Sequence, residues 1–504
     1  MTWLGRTAAA AVSVSIAMMV AIGIQGPSAA VPAFPSAAPW PPWFLHTHPS
    51  AGLTGTALWL AVLTGCAGLA AGLMAARRGW RPSHRRLIAG SVLAVLALAV
   101  IPPMGSADML DYAVSGRIAA LGHNPYVMMP AQLKASGDPV GAVAVAGYRH
   151  QPSRYGPVET AAEAAASELS GDSAARTIFW LKLLNGLAYL GLVLALDRVC
   201  RPDRAQRVRA HLLWSVNPVT LWAVMAGGHN DGLAVGAGAA ALYALRRVSY
   251  RRALLAGVLC GLAVAVKAPF ALFGAGLAGA AWRSPRALVA LAAGSAAILV
   301  PGYVLAGPGA ISASLAVATI APVGDTPWFA LARVLNWHDA AARIDAMGVA
   351  GFALLAVVLL WRMPPEPRDF PAVRVALALA LAWLITTPQQ HPWYFAMVFP
   401  VLAVIPASRL DWLVLIDAAA SAAGGLPPLF SATRLHPAWF SAMARISYAG
   451  IVPVTLTGVG IVLLWWCRTN DWKPEAGIRL SAVPAGSAHP NDLDKLHGHR
   501  YGNG

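Results

Sequence analysis

Apolar runs of 18 or more residues recur along the whole chain, and runs of this length can cross a lipid bilayer as helices. Only 12% of the residues are charged, whereas soluble domains carry about 25%. A soluble surface cannot be covered with so few charges. This excludes a soluble enzyme, a disordered protein and a small disulfide scaffold, and it predicts an all-α polytopic membrane protein.

The alternation of apolar runs and basic clusters predicts about 14 transmembrane helices. They are predicted at 6–25, 52–76, 87–103, 177–197, 210–227, 231–245, 253–268, 269–282, 287–305, 347–361, 375–388, 393–407, 412–430 and 447–467. With strict alternation, the segments that carry 26 of the 37 Lys and Arg residues fall on one side. By the positive-inside rule this side is cytoplasmic, and so are both termini. Cleavage of the first segment as a signal peptide is the alternative for residues 6–30.

The predicted topology divides the chain into three parts. Residues 1–86 form an N-terminal transmembrane hairpin with a proline-rich external loop, residues 87–467 the core, and residues 468–504 a polar cytoplasmic tail. The net charge of +16 is explained by the basic loops, because no soluble domain offers a basic face for nucleic acid. The four cysteines lie far apart and have no metal-ligand spacing.

The longest external loop, residues 104–173, carries the main candidate for catalysis. Asp108 follows the third span directly and precedes a predicted interfacial helix over 109–121, and Pro157 is expected to begin a second helix. Sugar transfer from a lipid phosphate needs one general base for the acceptor hydroxyl, and Asp108 is our candidate. The alternative is that Asp108 only caps the helix. Asp111 is expected on another face, as a solvated or supporting residue.

Three further polar clusters are predicted on the same external side. His229, Asn230 and Asp231 lie in a glycine-flanked turn that could hold a sugar hydroxyl or a phosphate, or could simply cap the following helix. Lys267 is a charge at a membrane turn and needs a partner such as a lipid phosphate, unless it snorkels to the surface. The third cluster offers amide, imidazole and aromatic groups suited to sugar rings, or else an aromatic belt: Gln389, Gln390, His391, Trp393 and Tyr394.

These clusters form part of a series that resembles the polyprenyl-phosphomannose-dependent α-(1→6)-mannosyltransferases, bacterial GT-C enzymes of the lipomannan-extending type. The resemblance covers about residues 90–410. The series is Ser106-Ala107-Asp108, Gly116-Arg117, Asn124-Pro125-Tyr126, Tyr155-Gly156-Pro157, Asn217-Pro218, Gly228-His229-Asn230-Asp231, Lys267-Ala268-Pro269, Pro388-Gln389 and Trp393-Tyr394.

The resemblance implies a GT-C fold with a catalytic external loop, in the plasma membrane of a bacterium. It implies Asp108 as the catalytic aspartate and a mannose donor linked to polyprenyl phosphate, with a mannan or glycolipid acceptor and inversion at the anomeric carbon. The donor and acceptor residues are expected among the three clusters and Asp111, Arg117, Asn124, Tyr126, Arg154 and Tyr155. The phosphate is expected near Lys267, with Arg117 or Arg154 as further cations. No metal and no cofactor are required by this scheme.

Two other functions stay open. A GT-C enzyme could use another lipid-linked sugar, such as arabinose or glucose, or form an α-(1→2) linkage. A secondary transporter or lipid flippase would also explain charges within the membrane, at Lys267 and Asp417. No GxxxxGK[ST] motif occurs, which argues against an ATP-driven pump.

Overall fold

A computed structural model of the chain describes residues 3–316, 326–337, 340–364, 370–425 and 438–469. Every secondary-structure element in these ranges is helical, as predicted. The α-helices are α1 Trp3–Ile24, α2 Ala51–Arg77, α3 His84–Ala99, α4 Asp108–Ala120, α5 Pro130–Ala135, α6 Pro157–Ser170, α7 Ala174–Val199, α8 Arg204–Ala210, α9 Pro218–Thr220, α10 Asp231–Ala244, α11 Tyr250–Val266, α12 Ala271–Ala281, α13 Pro285–Ala306, α14 Pro308–Ala316, α15 Pro327–Val334, α16 Ala340–Arg362, α17 Val373–Thr386, α18 Phe399–Ala403, α19 Leu410–Gly424, α20 Ala438–Ile446 and α21 Val452–Thr469.

Six helical segments in the described part of the chain are long and apolar enough to cross a membrane. They are Trp3–Ile24, Ala51–Arg77, Ala174–Val199, Pro285–Ala306, Ala340–Arg362 and Ala438–Thr469. Shorter apolar helices occupy most of the other predicted spans, so the chain is a multi-helix membrane protein, while the count of fourteen spans stays a prediction. The end of the predicted span 412–430 and nearly all of the predicted tail lie outside the described residues.

The prediction of one continuous helix over 210–227 is wrong. A π-helical turn at His211–Ser215 ends α8, and a second one at Leu221–Ala226 follows the short α9. The break has a local cause: the Asn217 side chain accepts a hydrogen bond from the Val219 amide, and Pro218 takes the first helical position. Span 393–407 is also irregular, with a 3₁₀ helix at Pro392–Met397 before α18.

The turns predicted on the basic side contact one another at one end of the bundle. Arg77 donates to the carbonyl oxygen of Ser408 (3.0 Å), and the buried Arg209 forms an ion pair with Asp411 (2.5 Å). Arg204 donates to the carbonyl oxygen of Arg81 (3.3 Å). Several turns predicted on the opposite side contact one another around α4.

Helix α4 is buried on all sides, and the expectation of an interfacial helix with one apolar face is therefore wrong. Its neighbours are α6, α7 and the proline-rich segment 25–50, which contributes Phe34 and Phe44 to the same apolar cluster. At Gly116 an added Cβ would lie 2.3 Å from the carbonyl oxygen of Glu163. The backbones of α4 and α6 thus approach as closely as only glycine allows, and this fixes the helix that begins with Asp108.

Candidate functional site

Asp108 is the first residue of α4, and its side chain faces other polar groups rather than capping the helix. The N-cap position belongs to Ala107, and no side-chain capping bond is present there. The Tyr148 hydroxyl donates to Asp108 Oδ1 (2.8 Å), His229 Nδ1 lies 3.3 Å from Oδ2, and the Ser106 hydroxyl accepts from the Asp108 amide. Burial alone raises the pKa of Asp108, but hydrogen bonds and the charge of His229, with the other donors, bring it well below its usual range.

His229 is held by aromatic stacking on a different part of the chain. Its ring stacks on Trp393 with centroids 3.6 Å apart, and His391 stacks on the same indole at 4.3 Å. Among the described residues no ring contact joins the two histidines, so they lie on opposite faces of Trp393. Both imidazoles are thus in contact with the Trp393 indole.

The turn before α10 brings His229 close to α4 because of its glycines. Gly228 has a φ of +73°, and an added Cβ would lie 2.6 Å from the side chain of Met109. Asn230 occupies the N-cap position of α10 without a side-chain capping bond. The turn therefore does more than cap a helix: it packs directly against the helix that carries Asp108.

Lys267 is buried and does not snorkel, so this alternative is wrong. Its side chain is 5% exposed, and Nζ donates to Asp231 Oδ2 (2.6 Å), itself 4% exposed. The ammonium group also lies over the rings of Tyr394 (5.4 Å) and Tyr155 (6.0 Å). The Tyr155 ring makes an edge contact with Tyr112, whose hydroxyl donates to the Tyr155 hydroxyl. Lys267 thus joins two of the predicted clusters to the long external loop.

Three more buried carboxyl groups lie on α4 and α6. Asp111 is 9% exposed, so the expectation of a solvated residue is wrong; burial and the nearby Asp108 charge raise its pKa to about 7, against the lowering effect of Arg154. Burial raises the pKa of Glu159 to about 8 and that of Glu163 well above its usual value. Both oxygens of Glu163 lack a hydrogen-bond partner. These groups are neutral far more readily than Asp108.

Several predicted site residues make contacts elsewhere. Arg117 is held by two aspartates of the same loop, Asp138 (2.8 Å) and Asp172 (2.5 Å). The Asn124 amide donates to the carbonyl oxygen of Ala306, and the Tyr126 hydroxyl bonds to the Thr160 hydroxyl. These contacts brace the loop against neighbouring helices, and they do not bring the three residues to Asp108.

The amide side chains of the site differ in their surroundings. Gln390 is buried, and both polar atoms of its side chain lack hydrogen-bond partners. Asn230 is also buried, and its side chain lies close enough to Glu159 to lower the pKa of that carboxyl group. Gln389 is buried as well. A buried amide without partners is costly unless a ligand or water satisfies it, so Gln390 is the residue of the site best suited to bind a hydroxyl group.

Sequence reasoning missed Tyr148 entirely. Its side chain lies under the guanidinium group of Arg154, 5.1 Å from the ring centre, and it contacts the carboxylate of Asp108. No motif surrounds it in the sequence, and only the folding of the turn at 145–149 brings it to α4.

As to metals, the described part of the chain contains no group of three or more His, Cys, Asp or Glu residues arranged to hold an ion.

Comparison with the profiles of known protein families identifies one that matches this chain. Residues 9–284 match the family profile described as "Alpha-(1->6)-mannopyranosyltransferase, N-terminal domain". The match covers more than half of the chain, including Asp108, Tyr148, His229 and Lys267. The chain belongs to this family. The match begins within α1, so most of the N-terminal hairpin, which the sequence resemblance left out, lies inside the matched region.

Similar curated proteins come from mycobacteria. "Probable alpha-(1->6)-mannopyranosyltransferase" of Mycolicibacterium smegmatis is 29% identical over 177 residues, which are 35% of this chain and 32% of that protein. An alpha-(1->6)-mannopyranosyltransferase of Mycobacterium tuberculosis is 27% identical over 142 residues, 28% of this chain and 24% of that protein. The aligned segments thus span about a third and a quarter of these relatives.

Two solved structures match parts of the chain with low TM-scores. One is the archaeal oligosaccharyltransferase AglB from Archaeoglobus fulgidus, in complex with an inhibitory peptide and a dolichol-phosphate (16% identity, TM-score 0.36, 75% of this chain and 56% of that one). The other is the arabinosyltransferase EmbB from Mycobacterium smegmatis (16% identity, TM-score 0.34, 84% and 45%).

Proposed function

We propose that the protein is an integral-membrane glycosyltransferase of the GT-C type. It transfers mannose from polyprenyl-phosphomannose to a mannan or glycolipid acceptor and forms an α-(1→6) linkage with inversion. The observation that carries this proposal is the family match together with the site inside the matched region, where the carboxylate of Asp108 lies in a buried polar cluster with His229, and the turn of His229 also carries Asp231, the partner of Lys267.

Asp108 is the general base in this reaction. Its carboxylate takes the proton of the acceptor hydroxyl while the acceptor oxygen bonds to the anomeric carbon. The bond from that carbon to the phosphate oxygen breaks on the opposite face, and the phosphate leaves with the electron pair. Because a phosphate is a good leaving group, one carboxylate suffices, and the groups around Asp108 lower its pKa, which favours the ionised form that a base needs.

Lys267 and Arg154 are the cations that receive the phosphate. Lys267 donates one hydrogen bond to Asp231, which orients the ammonium group and leaves two protons for an anion. Arg154 has its guanidinium over Tyr148 and lies near both Asp108 and Asp111. We assign Arg117 to loop bracing instead, because its guanidinium is engaged by two aspartates. The reaction on these residues requires no metal and no cofactor.

The site faces the exterior of a bacterial plasma membrane, and both termini are cytoplasmic. The basic turns, which contact one another, support this assignment, because basic turns stay on the cytoplasmic side. The polyprenyl tail then lies in the membrane against the helices next to Lys267, and the glycan acceptor approaches from outside.

Transfer of radiolabelled mannose tests the proposal. Membranes that contain the wild-type protein, Asp108→Asn or Asp172→Asn are given polyprenyl-phosphomannose and a short α-mannoside. We expect transfer by the wild type and by Asp172→Asn, a matched change at an exposed aspartate of the same loop, and a loss of at least about 100-fold for Asp108→Asn.

The other outcomes separate the alternatives. If the wild type transfers arabinose or glucose from the corresponding lipid phosphates but no mannose, the enzyme class stands and the donor sugar is wrong. If Asp108→Asn transfers at the wild-type rate, Asp108 is not the base. Linkage analysis of the product distinguishes α-(1→6) from α-(1→2).

A further inference from the structure

The carboxylate of Asp108 has two oxygens in different surroundings. Oδ1 accepts the hydrogen bond from the Tyr148 hydroxyl at 2.8 Å. Oδ2 lies 3.3 Å from His229 Nδ1, a distance at the long end for a hydrogen bond. One oxygen therefore accepts a hydrogen bond of normal length from a neutral donor, whereas the other has only the long contact with His229 and can accept a further hydrogen bond.

Tyr148 is itself fixed in two ways. The backbone around it forms a tight turn, in which the Tyr148 amide donates to the Val145 carbonyl oxygen (3.0 Å) and its own carbonyl oxygen accepts from Gln151 (2.9 Å). The Arg154 guanidinium covers its ring. A phenol held by its backbone and by its ring can impose a direction on the group that it contacts.

We propose that Tyr148 is a positioning residue for Asp108: its hydroxyl holds Oδ1, so that Oδ2 is directed at the acceptor hydroxyl and takes its proton. This inference rests on the proposed function. As the acceptor O–H bond breaks, the proton passes to Oδ2, and Oδ1 becomes the carbonyl oxygen of the acid. Tyr148 keeps its own proton throughout, because a carbonyl oxygen still accepts its hydrogen bond.

The electrostatic surroundings of Asp108 come from several segments. His229 faces it from the turn before α10, Arg154 and Tyr155 from the long external loop, Asp111 and Tyr112 from α4, and His391 from the turn after α17. Replacing Tyr148 by Phe changes none of these groups and leaves the ring in place. A shift in the titration of Asp108 in this variant therefore reports the lost hydroxyl.

The test is Tyr148→Phe in full-length protein, assayed for mannose transfer across pH. We expect kcat to fall about 10–100-fold, since one hydrogen bond to a charged group is removed, with the donor KM within about twofold. The hydroxyl favours the ionised carboxylate, so its loss raises the pKa of Asp108 and moves the acidic limb of the profile to higher pH.

Tyr243→Phe is the matched control. Its hydroxyl is also buried and donates to a backbone carbonyl, that of Pro400 (2.7 Å). It lies near the far end of α10, about 18 Å along the helix from Asp231. The control should lose stability to a similar extent and keep both kcat and the pH profile.

Two results separate the inference from the function on which it rests. If Asp108→Asn is inactive while Tyr148→Phe keeps the wild-type kcat and pH profile, the positioning role is wrong and the proposed function stands. If Asp108→Asn is fully active, the proposed base fails. Infrared difference spectra give a readout without turnover. In the wild type and in Tyr148→Phe, the signal of Asp108 is isolated by subtracting the spectrum of the same protein with Asp108→Asn. The pH at which Asp108 is half protonated should be higher in Tyr148→Phe. Equal midpoints would overturn the inference.

Discussion

The ion pair between Lys267 and Asp231 allows a quantitative test of how the site is held together. Both side chains are at most 5% exposed, and Nζ and Oδ2 are 2.6 Å apart. At an effective dielectric constant of about 20, the attraction at this distance is about 6 kcal/mol. Desolvation offsets much of it, yet removing one partner leaves a buried charge alone and costs about 3–5 kcal/mol.

Lys267→Met and Asp231→Asn should therefore each destabilise the protein. An unfolding entropy of about 2.1 cal/mol/K per residue gives about 1 kcal/mol/K for a chain of 504 residues. The expected loss is thus about 3–5 °C in the melting temperature of each single variant, measured by scanning fluorimetry in detergent. The double variant has no buried charge left at this position. Its melting temperature should therefore fall by clearly less than the sum of the two single losses.

Arg209→Met serves as the control at the other end of the bundle. Arg209 also forms a buried pair, with Asp411, so it should destabilise similarly while leaving the donor KM of the folded fraction unchanged. Strict additivity of the losses in Lys267→Met and Asp231→Asn would refute the reasoning, because two residues that stabilise each other cannot contribute independently.

Three further predictions use other contacts of the site. Gly116→Ala should destabilise by about 1–3 kcal/mol because its Cβ would meet the α6 backbone at 2.3 Å, whereas Gly191→Ala, with no atom within 4 Å, should be neutral or stabilising in the same melting assay. Asp111 has a pKa raised to about 7, so the wild type should lose stability as the pH rises from about 4 to 7. Asp111→Asn should remove this loss and therefore raise the melting temperature at pH 8 but not at pH 4. Equal effects of the substitution at both pH values would contradict this prediction. Arg154→Met should raise the donor KM in transfer assays, whereas Arg117→Met should lower the melting temperature with little change in that KM; the reverse pattern would exchange their roles.

That the site residues lie near one another could be predicted from the sequence, because it follows from the order and direction of the spans. Each cluster sits at a span end, and the basic turns fix which span ends share a side. Asp108, His229, Lys267 and Trp393 could thus be assigned to one end of the bundle, and the structure brings them into direct or shared contact. What the sequence could not supply was the pairing within that end, such as Lys267 with Asp231.

Sequence reasoning could not predict which residues of the long external loop are buried. The helix that was expected to begin at Pro157 carries three glutamates over 157–170, and Glu159 and Glu163 are almost fully buried. The cause is the close approach of α6 to α4 at Gly116, a contact between segments almost 50 residues apart. Tyr148 was missed for the same reason, since a turn that folds back onto α4 leaves no periodic pattern in the sequence.

The pKa shifts of the buried carboxyl groups support our choice of Asp108, among several carboxylates, as the proposed base. Asp111, Glu159 and Glu163 are buried without enough cations, and burial raises the pKa of each. Asp108 is buried as deeply, but the donors at its two oxygens keep it ionised. When the environment raises the pKa of one carboxyl group and lowers that of another, the first tends to keep its proton and the second stays able to accept one. In the proposed reaction, the raised pKa of Glu159, which lies near Lys267, favours its neutral form, and a neutral Glu159 would not repel a donor phosphate at that lysine.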